Sequence, residues 1–517
     1  MSETLDRRTF MKNTAAAAGA FGLSSLLGPS AAHASTASSS LEYVSALEMA
    51  QAIRDKKISS VEITEHIIGR IEKFNPDINS VVVDTTAEAR KAAVAADEAL
   101  ARGENLGPFH GVPITVKESF DIVGYPTTVG APFLKDYRPE VDAEVVQRLK
   151  KSGAVILGKS NVPFMLSDLQ TYNEIYGTTN NPWDLTRTPG GSTGGGAATL
   201  AAGMSFLSVG SDIGGSIRTP ASFCGVYGHK PTLNVISQFG SAPPLPNQRP
   251  APPATLPVAG PLARSADDLM AAMKLLGGPR GDEAKAYSWK LPEPRGKRLS
   301  DYRIRYVIDD PVCPVVPEVK ERLAAAVDSL RKAGAKVEEG WPEGIDPKKQ
   351  IEDYIYLLFA ALQASFPMNK RLDDLSDVKL VAIFSKAMKA TNAEVQEKEL
   401  ERMAARQAWQ HYFKTHDAFL MPVNFIPAFP HDHSDFGNRT FDTSLGTRSY
   451  FDILYWIAFA TLTGLPATSA PVGPTKDNLP VGIQILGPYL EDATPIDIAA
   501  KLAEVHGGFQ APPGYAS

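Results

Sequence analysis

The chain has 517 residues, of which 43% are hydrophobic and 21% charged, with a formal net charge of −6. That balance suits a soluble globular protein and excludes a disordered or fibrous chain, and no basic stripe supplies an electrostatic footprint for nucleic acid. Two cysteines, Cys224 and Cys313, are too few for a disulfide scaffold, a Cys-rich zinc site or an iron–sulfur cluster; both read as small buried residues.

Residues 1–34 read as an address rather than as fold. Asp6-Arg7-Arg8-Thr9-Phe10-Met11-Lys12 pairs two arginines, an uncharged stretch follows from Asn13 to Gly28, and Ala32-His33-Ala34 offers small residues at a cleavage point. This resembles a bacterial twin-arginine export signal. It implies export machinery as a partner, removal near Ala34/Ser35, and a periplasmic or secreted product. The stretch is too short and too rich in Ala, Gly and Ser to be a stable membrane anchor.

After a Ser-rich spacer, Ser45-Ala46-Leu47-Glu48 and Ser59-Ser60-Val61-Glu62 match capping boxes. Ile63, Ile67, Ile68 and Ile71 recur at helical spacing, and a third helix is expected from Thr86 to Ala101. The period then changes. Val112–Lys117, Ala154–Gly158 and Met204–Val209 read as buried strands. Tyr302–Ile308 and Ala335–Glu339 read as strands flanking a helix over Val316–Gly334, and Pro480–Gly487 as a strand before a helix from Thr494 to Val505. Alternation of this kind predicts an α/β fold. Pro-rich Ala242–Pro257 reads as a loop. The apolar stretches Tyr354–Met368 and Ile453–Leu465 read as core, with part of the first a candidate pocket wall.

Two glycine clusters stand out: Pro189-Gly190-Gly191-Ser192-Thr193-Gly194-Gly195-Gly196 and Gly210-Ser211-Asp212-Ile213-Gly214-Gly215-Ser216-Ile217-Arg218. Neither fits a P-loop or a dinucleotide fingerprint. The first matches G-x-S-x-G, but that elbow needs a preceding strand, and Pro189 cannot occupy a central one. The second follows an apolar run and precedes a helix start, where free N–H groups suit an oxyanion. Ser216 is therefore the better nucleophile. No histidine lies in either cluster, so the base is open; a lysine, whose ordinary pKa is about 10.4, can serve if burial lowers it, and Lys117 ends an apolar strand.

Gly111–Lys117, the Gly-Gly-Ser-Thr-Gly-Gly-Gly loop and Ser-Asp-Ile-Gly-Gly-Ser-Ile-Arg-Thr-Pro-Ala resemble the amidase signature family. So do Asn161-Val162-Pro163, Tyr176-Gly177 with Asn181-Pro182-Trp183, Gly225–Thr232 and Gly464-Leu465-Pro466-Ala467, in the same order. The resemblance spans nearly all of residues 35–517. It implies one large α/β domain, with a mixed central sheet covered by helices on both faces. It also implies a Ser–cisSer–Lys triad: Ser216 attacks the carbonyl, Ser192 in a cis peptide relays the proton, and Lys117 is the terminal base. The N–H groups of Ile213, Gly214, Gly215 and Ser216 would form the oxyanion hole, and Met165 and Ser167 correspond to substrate-contacting positions. The expected reaction is hydrolysis of a small-molecule amide C–N bond through an acyl-enzyme, without cofactor or metal, in a monomer or homodimer; esters and carbamates are open to the same chemistry. Alternatives are an amidotransferase-type subunit working with a partner protein, and an α/β-hydrolase using Ser192 and a histidine. Where the family often has Asp after the lysine, this chain has Glu118. Asp212 and Arg218 are expected to brace the second cluster as an ion pair, and His110 and His229 to be hydrogen-bonded structural residues. Ser376-Asp377-Val378-Lys379 and His431-Asp432-His433 resemble an S-x-x-K motif and a metal pair only superficially.

Overall fold

A computed structural model describes residues 40–241, 255–362, 378–435 and 438–515. The expected export signal, most of the Ala242–Pro257 loop and the end of the Tyr354–Met368 stretch lie outside them. Eleven strands make one sheet: β1 (Val81–Asp84), β2 (Pro113–Lys117), β3 (Val155–Ser160), β4 (Leu207–Asp212), β5 (Tyr227–Lys230), β6 (Val258–Ala263), β7 (Arg303–Tyr306), β8 (Lys336–Glu339), β9 (Ala418–Pro422), β10 (Ala467–Pro474) and β11 (Pro480–Leu486). Their order is β1-β3-β2-β4-β6-β5-β10-β11-β9-β7-β8. Parallel pairing joins β2 to β3 and β4 and β7 to β8 and β9; the pairs through the middle are antiparallel. The sheet is thus mixed, and helices pack against it in a single α/β domain.

The expected helices form where the sequence places them. α1 (Ala46–Arg54) and α2 (Ser60–Ile78) both start with complete capping boxes, from Ser45 and Ser59. Ile63, Ile67 and Ile68 of α2 are buried. α3 spans Thr86–Ala101. Further helices are α4 (Glu144–Lys151), α5 (Gly194–Ala201), α6 (Arg218–Cys224), α7 (Ala266–Leu276), α8 (Pro317–Lys332), α9 (Pro347–Leu362), α10 (Val378–Met388), α11 (Asn392–Tyr412), α12 (Tyr455–Thr463) and α13 (Ala493–His506), besides one-turn segments. Every residue of α12 is buried, in keeping with a core reading, and no described helix is long and apolar enough to cross a membrane.

One strand differs instructively. β4 begins at Leu207 rather than Met204 and runs on to Asp212, because Gly210, Ser211 and Asp212 pair with Gly260, Ala259 and Val258 of β6. The hydrogen-bond ladder, not the apolar run, sets its end. Since β2 and β4 are parallel neighbours with Val116 opposite Val209, Lys117 and the turn after Asp212 leave the sheet side by side.

Candidate active site

β2 is buried along its whole length, and Lys117 at its end has no solvent exposure. Its Nζ lies 2.7 Å from Ser192 Oγ, 3.0 Å from Thr193 Oγ1 and 3.0 Å from Ser211 Oγ. No carboxylate forms an ion pair with it among the described residues. Burial pushes its pKa down to about 7, against the upward pull of the Asp212 charge. Three hydroxyls suit either protonation state: an ammonium donates three hydrogen bonds, whereas a neutral amine donates two and accepts one. Thr193 Oγ1 already donates to Ser211 O at 3.2 Å, so Ser192 or Ser211 is left to donate to the neutral nitrogen.

Ser192 follows a cis Gly191–Ser192 peptide bond and is almost completely buried. Gly191 is required by close approach: a Cβ there would lie 2.5 Å from Asp168 O and 2.6 Å from Gln170 O. Thr193 N donates to Ser216 O at 3.1 Å, which seats the first glycine cluster against the second. The structure therefore brings Lys117, Ser192 and the Ser216 turn together.

Asp212 organises that turn. Its carboxylate accepts from the backbone N–H of Gly215 (3.0 Å), Ile217 (3.1 Å) and Arg218 (3.3 Å) and from Arg218 Nε (3.0 Å) and Nη2 (2.8 Å). Burial raises the carboxyl pKa, but the Arg218 charge and these donors outweigh it and leave the group below its ordinary value. The pair is fully buried. Arg218 also donates to Ile457 O, Gln484 Oε1 and Thr461 Oγ1. The expected brace is present, and it does more than pair charges.

One expectation is corrected here. Gly215 is among the donors expected for an oxyanion, but its N–H points at Asp212 Oδ1 because the carboxylate folds back over the turn. Ile213, Gly214 and Ser216 remain as candidate donors. Gly215, at φ +86°, supplies the left-handed bend instead. Behind the turn, the Tyr354 hydroxyl of α9 donates to Ile213 O at 2.9 Å. A Cβ at Gly214 would meet Leu454 Cδ2 at 3.5 Å and the Tyr354 hydroxyl at 3.6 Å.

Met165 and Ser167 sit on a loop that runs into Asp168–Thr171, the segment behind Gly191. Met165 N donates to Val129 O at 2.7 Å, and Ser167 Oγ donates to Met165 O at 2.9 Å, so that hydroxyl is engaged within its own loop. The alternative of Ser192 with a histidine is also corrected. Ser192 Oγ meets Lys117, and the loop before it is not a sheet strand. His110 contacts Ala96 O (2.9 Å) and His229 lies between Thr468 and Asp492 (2.9 and 3.1 Å). The reading of the sequence missed Thr193 and Ser211 as lysine partners, although both hydroxyls lie within the glycine clusters. It also missed the buttress role of Tyr354. Cys224 and Cys313 are buried and free.

Residues 62–495 match the family model described as Amidase. An indoleacetamide hydrolase of Bradyrhizobium diazoefficiens is 34% identical, over 89% of this chain and 86% of its own. One of the subunits of the glutamyl-tRNA(Gln) amidotransferase of Carboxydothermus hydrogenoformans is 31% identical, over 89% and 96%. Among solved structures, a bacterial aryl acylamidase of the amidase signature family superposes with a TM-score of 0.76 at 25% identity, covering 90% of this chain and 96% of its own. The chain belongs to the amidase family, whose members act on amide carbon–nitrogen bonds.

Proposed function

We propose that this amidase hydrolyses a neutral amide through an acyl-enzyme on Ser216, with Ser192 passing protons to Lys117. The observation that carries the reading is a fully buried lysine whose Nζ is met by three hydroxyls, and burial there pushes its pKa down to about 7. Ser216 Oγ bonds to the carbonyl carbon. Its proton goes to Ser192 Oγ, and the Ser192 proton goes to Lys117 Nζ. The oxyanion takes hydrogen bonds from the candidate N–H donors of Ile213, Gly214 and Ser216. As the C–N bond breaks, the proton returns through Ser192 to the leaving nitrogen. Water then repeats the sequence on the acyl-enzyme, giving a carboxylic acid and free Ser216.

The acyl group of the substrate is apolar on this reading. The side chains that a Cβ would meet are Leu454 and Tyr354 at Gly214 and Thr219 and Ile457 at Gly215, none of them charged. None of these compensates a charged substituent, and burying an unpaired charge is unfavourable. A panel of benzamide, phenylacetamide, butyramide and glutamine, whose side-chain amide carries a γ-glutamyl acyl group, read by product mass, tests this. Neutral apolar acyl groups are expected to exceed glutamine by about 100-fold in kcat/KM; equal turnover of glutamine would favour the amidotransferase-type role.

The protein also acts outside the cytoplasm on this reading, after export by the twin-arginine machinery and cleavage before Ser35. The support is the order of Arg7-Arg8, the uncharged stretch and Ala32-His33-Ala34. Mass spectrometry of the exported protein is expected to find Ser35 at its N-terminus, and an Arg7→Lys, Arg8→Lys variant that is still exported would overturn it.

A further inference from the structure

The backbone of Asp168–Tyr172 is the mould for the turn that carries Ser192. It packs on Gly191 at the distances given above, and Thr171 Oγ1 donates to Gly190 O at 2.8 Å. What holds the mould arrives 271 residues later in the chain. Arg439 Nη1 donates to Asp168 Oδ2 at 2.6 Å, its Nη2 to the Tyr172 hydroxyl at 2.6 Å, and its Nε to Ser434 O at 2.9 Å. The Tyr450 hydroxyl donates to Asp168 Oδ1 at 2.6 Å. Gln170 and Asp432 exchange two hydrogen bonds, of 2.6 and 2.9 Å. The Arg439 side chain is 2% exposed and that of Asp168 9%.

A charge pair this dry is a poor way to gain stability but a good way to fix geometry, because removing water makes its directional bonds strict. The surrounding ribbon, Thr440–Thr443 paired with Gly446–Ser449, has its own apolar anchorage. Phe441 packs on Phe429 (4.9 Å between ring centres) and Tyr450 (5.1 Å). The ribbon thus has an anchorage besides the charge pair.

We propose that Arg439 and Asp168 are positioning residues for Ser192: they clamp the segment against which Gly191 is moulded, and so fix Ser192 Oγ relative to Lys117 Nζ. The proposal rests on the proton-relay reading of Ser192.

Phenylmethylsulfonyl fluoride tests both separately. It sulfonylates an activated serine Oγ with loss of fluoride, and intact mass gives the rate and the final stoichiometry. Arg439→Met and Asp168→Asn are each expected to slow labelling of Ser216 by about 100-fold, the penalty typical of a misplaced reacting group. Final labelling stays complete and the amide KM holds within about twofold. The double variant is expected to be no slower than either single one, since the pair acts as a unit. Arg439→Lys, which keeps the charge without the fork, is expected to fall between. Wild-type labelling rates in Arg439→Met, or a reduced final stoichiometry at the wild-type rate, would overturn the proposal; the latter is what a merely stabilising pair gives. Tyr450→Phe keeps the ring packing and removes one donor, so it serves if Arg439→Met does not fold. About tenfold slower labelling is expected, and an unchanged rate overturns the proposal. If Ser192→Ala labels at the wild-type rate, the relay reading itself falls and takes this inference with it.

Discussion

Lys117 and Lys159 occupy adjacent strands of one sheet, with Val116 opposite Lys159, and neither is exposed. Burial lowers the pKa of both, to about 7 and about 8. Their partners differ. Lys159 donates to Pro126 O and to Thr127 Oγ1 at 2.9 Å, in the field of Glu118 and Asp121. A carbonyl only accepts, so that nitrogen works as a donor. Lys117 faces three hydroxyls, two of which, those of Ser192 and Ser211, are left to give it a proton. Lys230 makes the same point: its pKa is also pushed down to about 7 by burial, and its Nζ donates to Pro231 O at 2.8 Å. Burial makes a lysine titrate near neutrality, but the chemistry of its neighbours decides whether it can move a substrate's proton.

The comparison can be broken at its strongest point first. Ser216→Ala is expected to lose on the order of 10⁴-fold or more in amide turnover and to form no acyl adduct by intact mass. Lys117→Met is expected to lose about 10³-fold. Lys159→Met is expected to keep kcat within about threefold yet unfold about 1–3 kcal/mol more easily in urea, because the Pro126 carbonyl and Thr127 hydroxyl are left buried without their partner. Similar catalytic losses for the two lysines would erase the distinction drawn between them.

The pH dependence sharpens it further. The proposed base works only when neutral, so kcat/KM is expected to fall with acid through a midpoint near 7. Stability carries the same sign. A lysine at about 7 when folded and 10.5 when unfolded binds fewer protons in the native state between those values, so the wild type loses stability as pH falls through that window. The melting temperature of Lys117→Met relative to wild type is therefore expected to rise from pH 10.5 down to pH 7, and a gap independent of pH would refute the burial argument. The smallest effect is at the buttress. Tyr354→Phe removes one hydrogen bond to Ile213 O, with an expected stability loss of about 0.5–1.5 kcal/mol by denaturation and a kcat loss of up to about tenfold.

Much of the frame was legible in the sequence for a physical reason. Short apolar runs such as Val155–Leu157 and capping boxes such as Ser59–Glu62 are local signals. Five strands of the sheet were not read; β1 (Val81–Asp84) and β9 (Ala418–Pro422) are apolar runs that were passed over, whereas β6 and β10 are hidden by their composition. β6 contains Gly260 and Pro261, and β10 contains Pro471, residues that ordinarily argue against a central strand. Gly260 is needed there because a side chain would collide with His229 O. At the site, Ser216 came from its place between an apolar run and a helix start and Lys117 from the end of an apolar strand, whereas the role of Ser192 and the triad as a unit came from the order of motifs. Asp212 over Gly215, Tyr354 on Ile213 and Arg439 on Asp168 are contacts made by the folded chain, and no local pattern announces them.

Arg218 has a consequence for how the molecule is made. A nascent chain that ends at Gly225 already contains Lys117, Ser192 and Ser216, yet lacks Ile457, Thr461 and Gln484, the acceptors that tie the Arg218 guanidinium to α12 and β11. Gln484 lies 266 residues beyond it. The frame of the Ser216 turn therefore closes only when almost the whole chain has been synthesised, and until then a partly made enzyme carries its reactive side chains without the brace that aligns them.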